Sequence, residues 1–373
     1  MLNKELYFYN LMPNKIKIIN ILPIGRSSSI FLHGLMEGHE EIITIIGNYY
    51  PEENDFIGLD IKEVVKRIYN KLRHMERDYY SESRLENIFP INKLELYLKE
   101  YLSFFGINKK TILIGIHYAL AKSCKKDLSK VKYILMQSHN TPHFLRSIED
   151  FPKQKMIFTV RDPRASFFSY KNKLNYITGI IGLLENYALF KRLSKDKYDL
   201  ITIKHEDLNM DYKKIKKELI KFLDIKDSKS LNECTLFNIP WDYSQGKNNS
   251  ITKNYLTKPN KIFVSDTWKN EMSTPEIKFI QFIFSDFMKI FNYKKIDLFD
   301  NFNMIIFNTK VHFLANNEKY SKKLSKGLKG FSKIPIGGYL ILKGILLLYV
   351  ITLFLATFIR IIFLNFKRFD SNL

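Results

Sequence analysis

Two short stretches place arginine and hydroxyl side chains where the chain must change direction. The first is GRSSS, 25–29, between the β-branched run KIKIINIL (15–22) and an amphipathic pattern from about Ser28. A strand that ends this way before a helix points several backbone N–H groups at one spot, and the helix dipole makes that spot positive. The hydroxyls of Ser27, Ser28 and Ser29 add donors, Ile30 adds an amide, and Arg26 adds a charged fork. The result is an anion cradle. The P-loop of ATPases is built alike but needs a GK[ST] ending, and no lysine follows here. An ordinary serine N-cap is the plainer reading of the same residues.

The second stretch is TVRDPRASFFSY, 159–170. Arg161 falls at the carboxyl end of a strand, the side on which open parallel sheets bind ligands. Asp162-Pro163 reads as an N-cap with proline at the first helical position. Ser169 follows Asp162 by two helical turns, so it shares a face with the helix start and could hold one phosphate with Arg161. The plainer reading has Arg161 capping or pairing with Asp162.

The elements that carry these residues alternate. KIKIINIL, VKYILMQSH (131–139), KMIFTVRD (155–162) and YDLITIKH (198–205) read as strands. LDIKEVVKRIYNKLRHM (59–75), NKLELYLKEYLSFFG (92–106), DYKKIKKELIKFLDI (211–225) and STPEIKFIQFIFSDFMKIFNY (273–293) read as helices. The polar stretch 240–265 reads as a long loop. Alternation of this kind predicts an α/β fold with a parallel sheet flanked by helices.

Composition bounds the rest. The 373 residues carry a formal charge of +21, which implies anionic partners: nucleic acid, anionic lipid or a phosphate-rich small molecule. Two distant cysteines, Cys124 and Cys234, imply neither a disulfide framework nor a CxxC metal site, and no metal is expected. The first residues lack the apolar core of a signal peptide. The other end reads differently. GILLLYVITLFLATFI, 344–359, is uncharged, and with Lys343 and Arg360 snorkelling the apolar stretch extends over about 334–366. The organisation expected is a domain over 14–300, a lysine-rich juxtamembrane segment over 310–333 and an anchor helix over 334–366. Lysines on the near side place the domain in the cytoplasm, against anionic lipids. A buried core helix is the alternative for 334–366.

Four segments together carry a resemblance. GRSSSIFLHGLMEGHEEI resembles the 5′-phosphosulfate loop and following helix of sulfotransferases, a pattern close to R-S-G-T-T-L…L…H-P-E; Arg26, Ser27, Ser29, Leu35, His39 and Glu41 fall in register. RDPRASFFS is similar to the family's 3′-phosphate motif. IKHEDLNMDYKKIKKELIKFLDI is similar to its Y-E-D-L segment, and DTWKNEMSTPEIKFI to its W-K/R…L-S-P-E segment. Ser28 stands where the family commonly has glycine, and His205 where tyrosine is usual.

The resemblance implies a P-loop-like parallel sheet and 3′-phosphoadenosine-5′-phosphosulfate (PAPS) as sulfuryl donor, with no nucleic-acid partner. It implies that Arg26 and residues 27–30 hold the 5′ side, and that Arg161 and Ser169 hold the 3′-phosphate. His205 takes the place of an adenine contact, and Lys261 matches a cationic 3′-phosphate contact. His139, in MQSHNTP, falls where cytosolic members have the base of their K-T-H-L-P motif, with Gln137 in the lysine's place. Glu52 or Glu53 is the alternative base, His39 is expected to be structural, and His33 is unassigned. The acceptor is a hydroxyl, on a carbohydrate or lipid-linked glycan if the domain sits at a membrane. Two other classes remain open: a P-loop-type kinase, and a non-enzymatic membrane-anchored nucleotide-binding domain.

Overall fold

The computed structural model describes residues 8–45, 50–79, 89–139, 141–171, 176–194, 198–236, 239–240 and 257–296. These fall into two compact units, one from Met1–Arg161 with Asn186–Ser265 and one from Asp162–Glu185 with Asp266–Leu373. The lysine-rich segment and the apolar segment 334–366 lie outside the described residues. Among the described residues, no helix is long and apolar enough to cross a membrane.

The first unit is built on a five-stranded, all-parallel sheet. Its strands are β1 (Lys17–Pro23), β2 (Ile42–Thr44), β3 (Tyr133–Gln137), β4 (Gln154–Val160) and β5 (Leu200–Lys204), in the spatial order β2-β3-β1-β4-β5. The central strands read as continuous apolar runs because helices cover both faces. Ile18, Ile19, Ile21 and Leu22 of β1 are all buried, as are Ile157, Phe158 and Val160 of β4. Asn20 interrupts the run. Its amide donates to Ser147 Oγ at 3.1 Å and to Gln154 Oε1 at 3.0 Å, which ties β1 to the start of β4 and to the connection before it.

The order fixes where a ligand can sit. The chain leaves β1 toward β2 and β3, then crosses to the other side for β4 and β5. The carboxyl ends of β1 and β4 therefore border the crevice at which successive connections part.

Helix α1 (Ser29–Glu37) follows β1 directly. Helices α2 (Ile61–Tyr79), α3 (Ile91–Phe105) and α4 (Lys109–Ser123) intervene between β2 and β3. Helix α4 has no polar face: every residue from Thr111 to Ala121 is buried. Gly115 lets it approach α3, for a Cβ there would meet Leu98 Cδ1 at 2.7 Å and Tyr101 Cδ1 at 3.0 Å. Helix α5 (Thr141–Asp150) joins β3 to β4. Helix α6 (Pro163–Lys171) follows β4, and α7 (Tyr176–Leu193) precedes β5. Helices α8 (His205–Met210) and α9 (Tyr212–Leu223) complete the first unit's helical cover. His39 and Glu41 are structural: His39 Nε2 bonds the Lys226 carbonyl at 2.9 Å, and the Glu41 carboxylate accepts from Lys226 N at 2.7 Å and pairs with Lys132.

In the second unit, Asp162 caps α6 through Arg164 N at 2.9 Å and pairs with the Arg164 guanidinium. That guanidinium lies 4.4 Å from the centre of the Trp268 ring and donates to Gln281 Oε1 at 2.7 Å. The expected single helix over 273–293 is two, α11 (Thr274–Ile283) and α12 (Ser285–Ile290), after the short α10 (Trp268–Glu271). The start is as read, with Ser273 and Glu276 capping each other. The helix breaks at Phe284, immediately before Ser285 and Asp286, residue types that start helices rather than continue them.

Candidate anion site at the ends of β1 and β4

The loop after β1 turns on two left-handed residues, Gly25 (φ +80°) and Ser28 (φ +63°). Glycine meets that demand at position 25 without steric cost. Ser28 meets it with a side chain, and caps α1, whose first intrahelical bond runs from Leu32 N to the Ser28 carbonyl at 2.9 Å. The amides of Ser29, Ile30 and Phe31 precede that bond, so they belong to the open turn at the positive end of the helix.

Each serine has a distinct task. Ser27 is buried, and its Oγ lies 2.8 Å from Thr159 Oγ1 and 2.9 Å from the Thr159 carbonyl. Its hydroxyl thus clamps the loop to β4. Ser28 Oγ lies 2.6 Å from His205 Nδ1. Ser29 Oγ accepts from Gln137 Nε2 at 2.7 Å.

Arg161 closes the other side. Its Nη1 donates to the Arg26 carbonyl at 3.3 Å, and its charge is the second cause, after burial, that lowers the His205 pKa to about 4. Arg26, Ser27, Ser28, Arg161 and His205 are therefore brought together around one loop. Lys261 is exposed, at the start of the single turn Lys261–Phe263. The Phe263 carbonyl of that turn accepts from His205 Nε2 at 2.9 Å, and the Phe263 ring packs on Phe31 at 5.7 Å between centres. Ser169 is half-buried on α6 of the second unit.

His139 follows β3. Asn186 binds its carbonyl at 3.2 Å and the Pro23 carbonyl at 2.8 Å, so one amide ties the ends of β1 and β3. Beneath lies His33, fully buried, with Nε2 2.5 Å from Thr44 Oγ1 and Nδ1 3.4 Å from Gln137 Oε1. Burial is the main cause that lowers its pKa to about 3, with smaller contributions from His117 and His139. Gln137 thus lies between a neutral imidazole and a serine, where an amide can be satisfied and a lysine would bury an unmatched charge. Glu52 and Glu53 are engaged elsewhere, Glu52 with Arg146 and Glu53 with Lys109 at 3.2 Å, both at the surface.

Two solved structures are similar to this chain. One is a sulfotransferase domain from the curacin biosynthetic pathway, 15% identical, with a TM-score of 0.41, covering 72% of this chain and 98% of its own. The other is the sulfotransferase domain of the Synechococcus PCC 7002 olefin synthase, 15% identical, with a TM-score of 0.39, covering 72% and 94%. No family model and no curated protein matches.

Gln137, Thr159, Asn186 and Phe263 shape the site through contacts that join distant parts of the chain. Of these, Gln137 carried a sequence signal, its place where the resembled motif has a lysine two residues before His139.

Proposed function

We propose that this chain is a sulfotransferase that moves a sulfuryl group from PAPS to an acceptor hydroxyl. The observation that carries the reading is the meeting of two arginine-bearing strand ends, Arg26 after β1 and Arg161 after β4, around an open helix start. The four sequence segments described above supply the donor's identity.

In this reaction the acceptor oxygen bonds to sulfur while the bond from sulfur to the 5′-phosphate oxygen breaks. Adenosine 3′,5′-bisphosphate leaves, and the acceptor proton passes to a base. Charge grows on the leaving oxygen, so fixed donors aimed there are the main catalytic device. Arg26 and the amides of 27–30 take that role. Arg161, Ser169 and Lys261 hold the 3′-phosphate. His139 is the base in this reading, with Glu52 or Glu53 as the alternative; the surface ion pairs of both glutamates support His139.

The acceptor we propose is a carbohydrate or lipid-linked glycan, and the location is a membrane surface with the domain facing the cytoplasm. The basis is the apolar segment 334–366 and the lysines before it. A kinase would need a lysine in the loop to reach the transferred phosphate, and GRSSSIFL has none. The test is calorimetric titration with adenosine 3′,5′-bisphosphate and with ATP. Selective binding of the bisphosphate is expected, and selective binding of ATP would overturn the reading. Transfer of label from PAPS onto membrane extracts then identifies the acceptor; no transfer despite binding would favour a non-enzymatic nucleotide-binding domain.

A further inference from the structure

His205 engages both ring nitrogens inside the protein. Nε2 lies 2.9 Å from the Phe263 carbonyl, which can only accept, so Nε2 carries the proton. Burial and the neighbouring Arg161 keep the ring neutral. Nδ1 is then an acceptor, and Ser28 Oγ, 2.6 Å away, donates to it. Asn209 steadies the ring's own turn: its Nδ2 donates to the His205 carbonyl at 2.8 Å and lies 3.4 Å from Nδ1.

Ser28 is the residue that needs such a partner. At φ +63° and ψ +26° it holds a conformation that glycine adopts freely and a residue with a Cβ does not. The same residue caps α1, so its conformation sets the direction of the amides that follow.

We propose that His205 is a positioning residue for the anion cradle: its Nδ1 holds the Ser28 hydroxyl, and that bond keeps Ser28 left-handed with the amides of 29–31 aimed at one point. The inference rests on the donor reading above only for its ligand. Ser28 and His205 are both positions at which the sequence departs from the pattern it resembles. They are 177 residues apart and bonded to each other. A hydrogen-bonded serine here does what glycine does by lacking a Cβ, and the histidine acts on the donor through the loop.

The consequence is a specific dependence: Ser28→Gly removes the need for His205. Adenosine 3′,5′-bisphosphate affinity is measured by calorimetry for the wild type, His205→Ala, Ser28→Gly and the double variant. His205→Ala is expected to weaken binding by about tenfold in the serine background. In the glycine background the same change should weaken it by less than about twofold, a coupling that independent sites do not show. His205→Asn, which can place an acceptor near the Nδ1 position, should recover most of the loss. A histidine that touched the donor, or only filled space, would cause equal losses in both backgrounds, and equal losses overturn the proposal. If His205→Ala does not fold, His205→Phe keeps the ring, removes both nitrogens and supplies the same comparison. If the wild type does not bind the bisphosphate, the donor reading fails by itself. The pairing is then read from the melting temperatures of the same four proteins, where strict additivity overturns it.

Discussion

The Nη1 of Arg161 donates to the backbone carbonyl of Arg26 across 3.3 Å, so the residue that follows β4 holds the loop that follows β1. One guanidinium thereby couples the geometry of the loop to the end of β4.

Arg161→Ala should weaken adenosine 3′,5′-bisphosphate binding by about 1.5–3 kcal/mol, the scale of a charge-assisted hydrogen bond. Arg161→Lys should restore less than half of this, because an ammonium cannot reproduce the planar fork. Ser169→Ala should cost about 0.5–1.5 kcal/mol. Calorimetry decides, and unchanged affinity in the two alanine variants would remove both residues from the 3′-phosphate site.

Arg26→Ala should lose turnover more than affinity. Its place after β1 lets it follow the charge that grows on the leaving oxygen, and donors of that kind are worth about 3–4 kcal/mol in the transition state. A variant with wild-type kcat and only a raised KM would instead show equal binding of ground and transition states.

His139→Ala should slow transfer by about 10²-fold or more while donor binding persists. Glu52→Gln and Glu53→Gln each remove one partner of a surface ion pair, and such pairs are worth about 0–1 kcal/mol. Single-turnover rates separate the cases: a crippled glutamine variant beside a mild His139→Ala would move the base to the glutamates.

Buried imidazole rings make the fold sensitive to acid, and burial lowers the pKa of His39 as well. Burial lowers the pKa of His33 to about 3 and of His117 to about 4; burial and then the Arg161 charge lower that of His205 to about 4. Unfolded histidines titrate near 6.5. Between these values the unfolded chain binds more protons, so the stability present above about pH 6.5 is lost as pH falls toward about 3. The urea midpoint should decline steadily from about pH 6.5 downward. An unchanged midpoint at about pH 5 would mean the rings are open to water.

How much of this was legible in the sequence depends on where each signal lay. The parallel sheet was, because KIKIINIL, KMIFTV and YDLITIKH are short apolar runs separated by helical patterns. Helix α4 was not: buried on every side from Thr111 to Ala121, it shows no polar face for a 3.6-residue period to mark. Strand β2 has three residues, too few for any pattern. Helices α5 and α7 also went unread. The cap by Asp162, with Pro163 at the first helical position, was legible because the amide it accepts from, that of Arg164, lies only two residues on. The hydroxyl tasks of Ser27 and Ser28 were not, because Thr159 and His205 reach them from other strands' ends.

The apolar segment 334–366 gives a further expectation. Truncation after about Ser332 should yield a soluble protein that still binds the bisphosphate, since the strands and loops of the candidate site all precede it. The full chain should remain with membranes through a high-salt wash, because salt screens the lysines and not an inserted apolar helix. Release by salt alone would reduce the segment to a core or surface helix.

The central place of β1 also shapes how the chain must be made. The strands that flank it begin at Tyr133 and Gln154, so β1 leaves the ribosome long before either of its partners exists. At about 5–20 residues per second, that wait lasts seconds. Throughout it, a nearly all-apolar strand has two unpaired edges, the feature that most invites sticking to other chains. The loop that follows β1 is translated well before Thr159 and His205, the residues that hold its serines. A nascent chain stalled before β4 would carry Arg26 and its serines without Thr159 to clamp them.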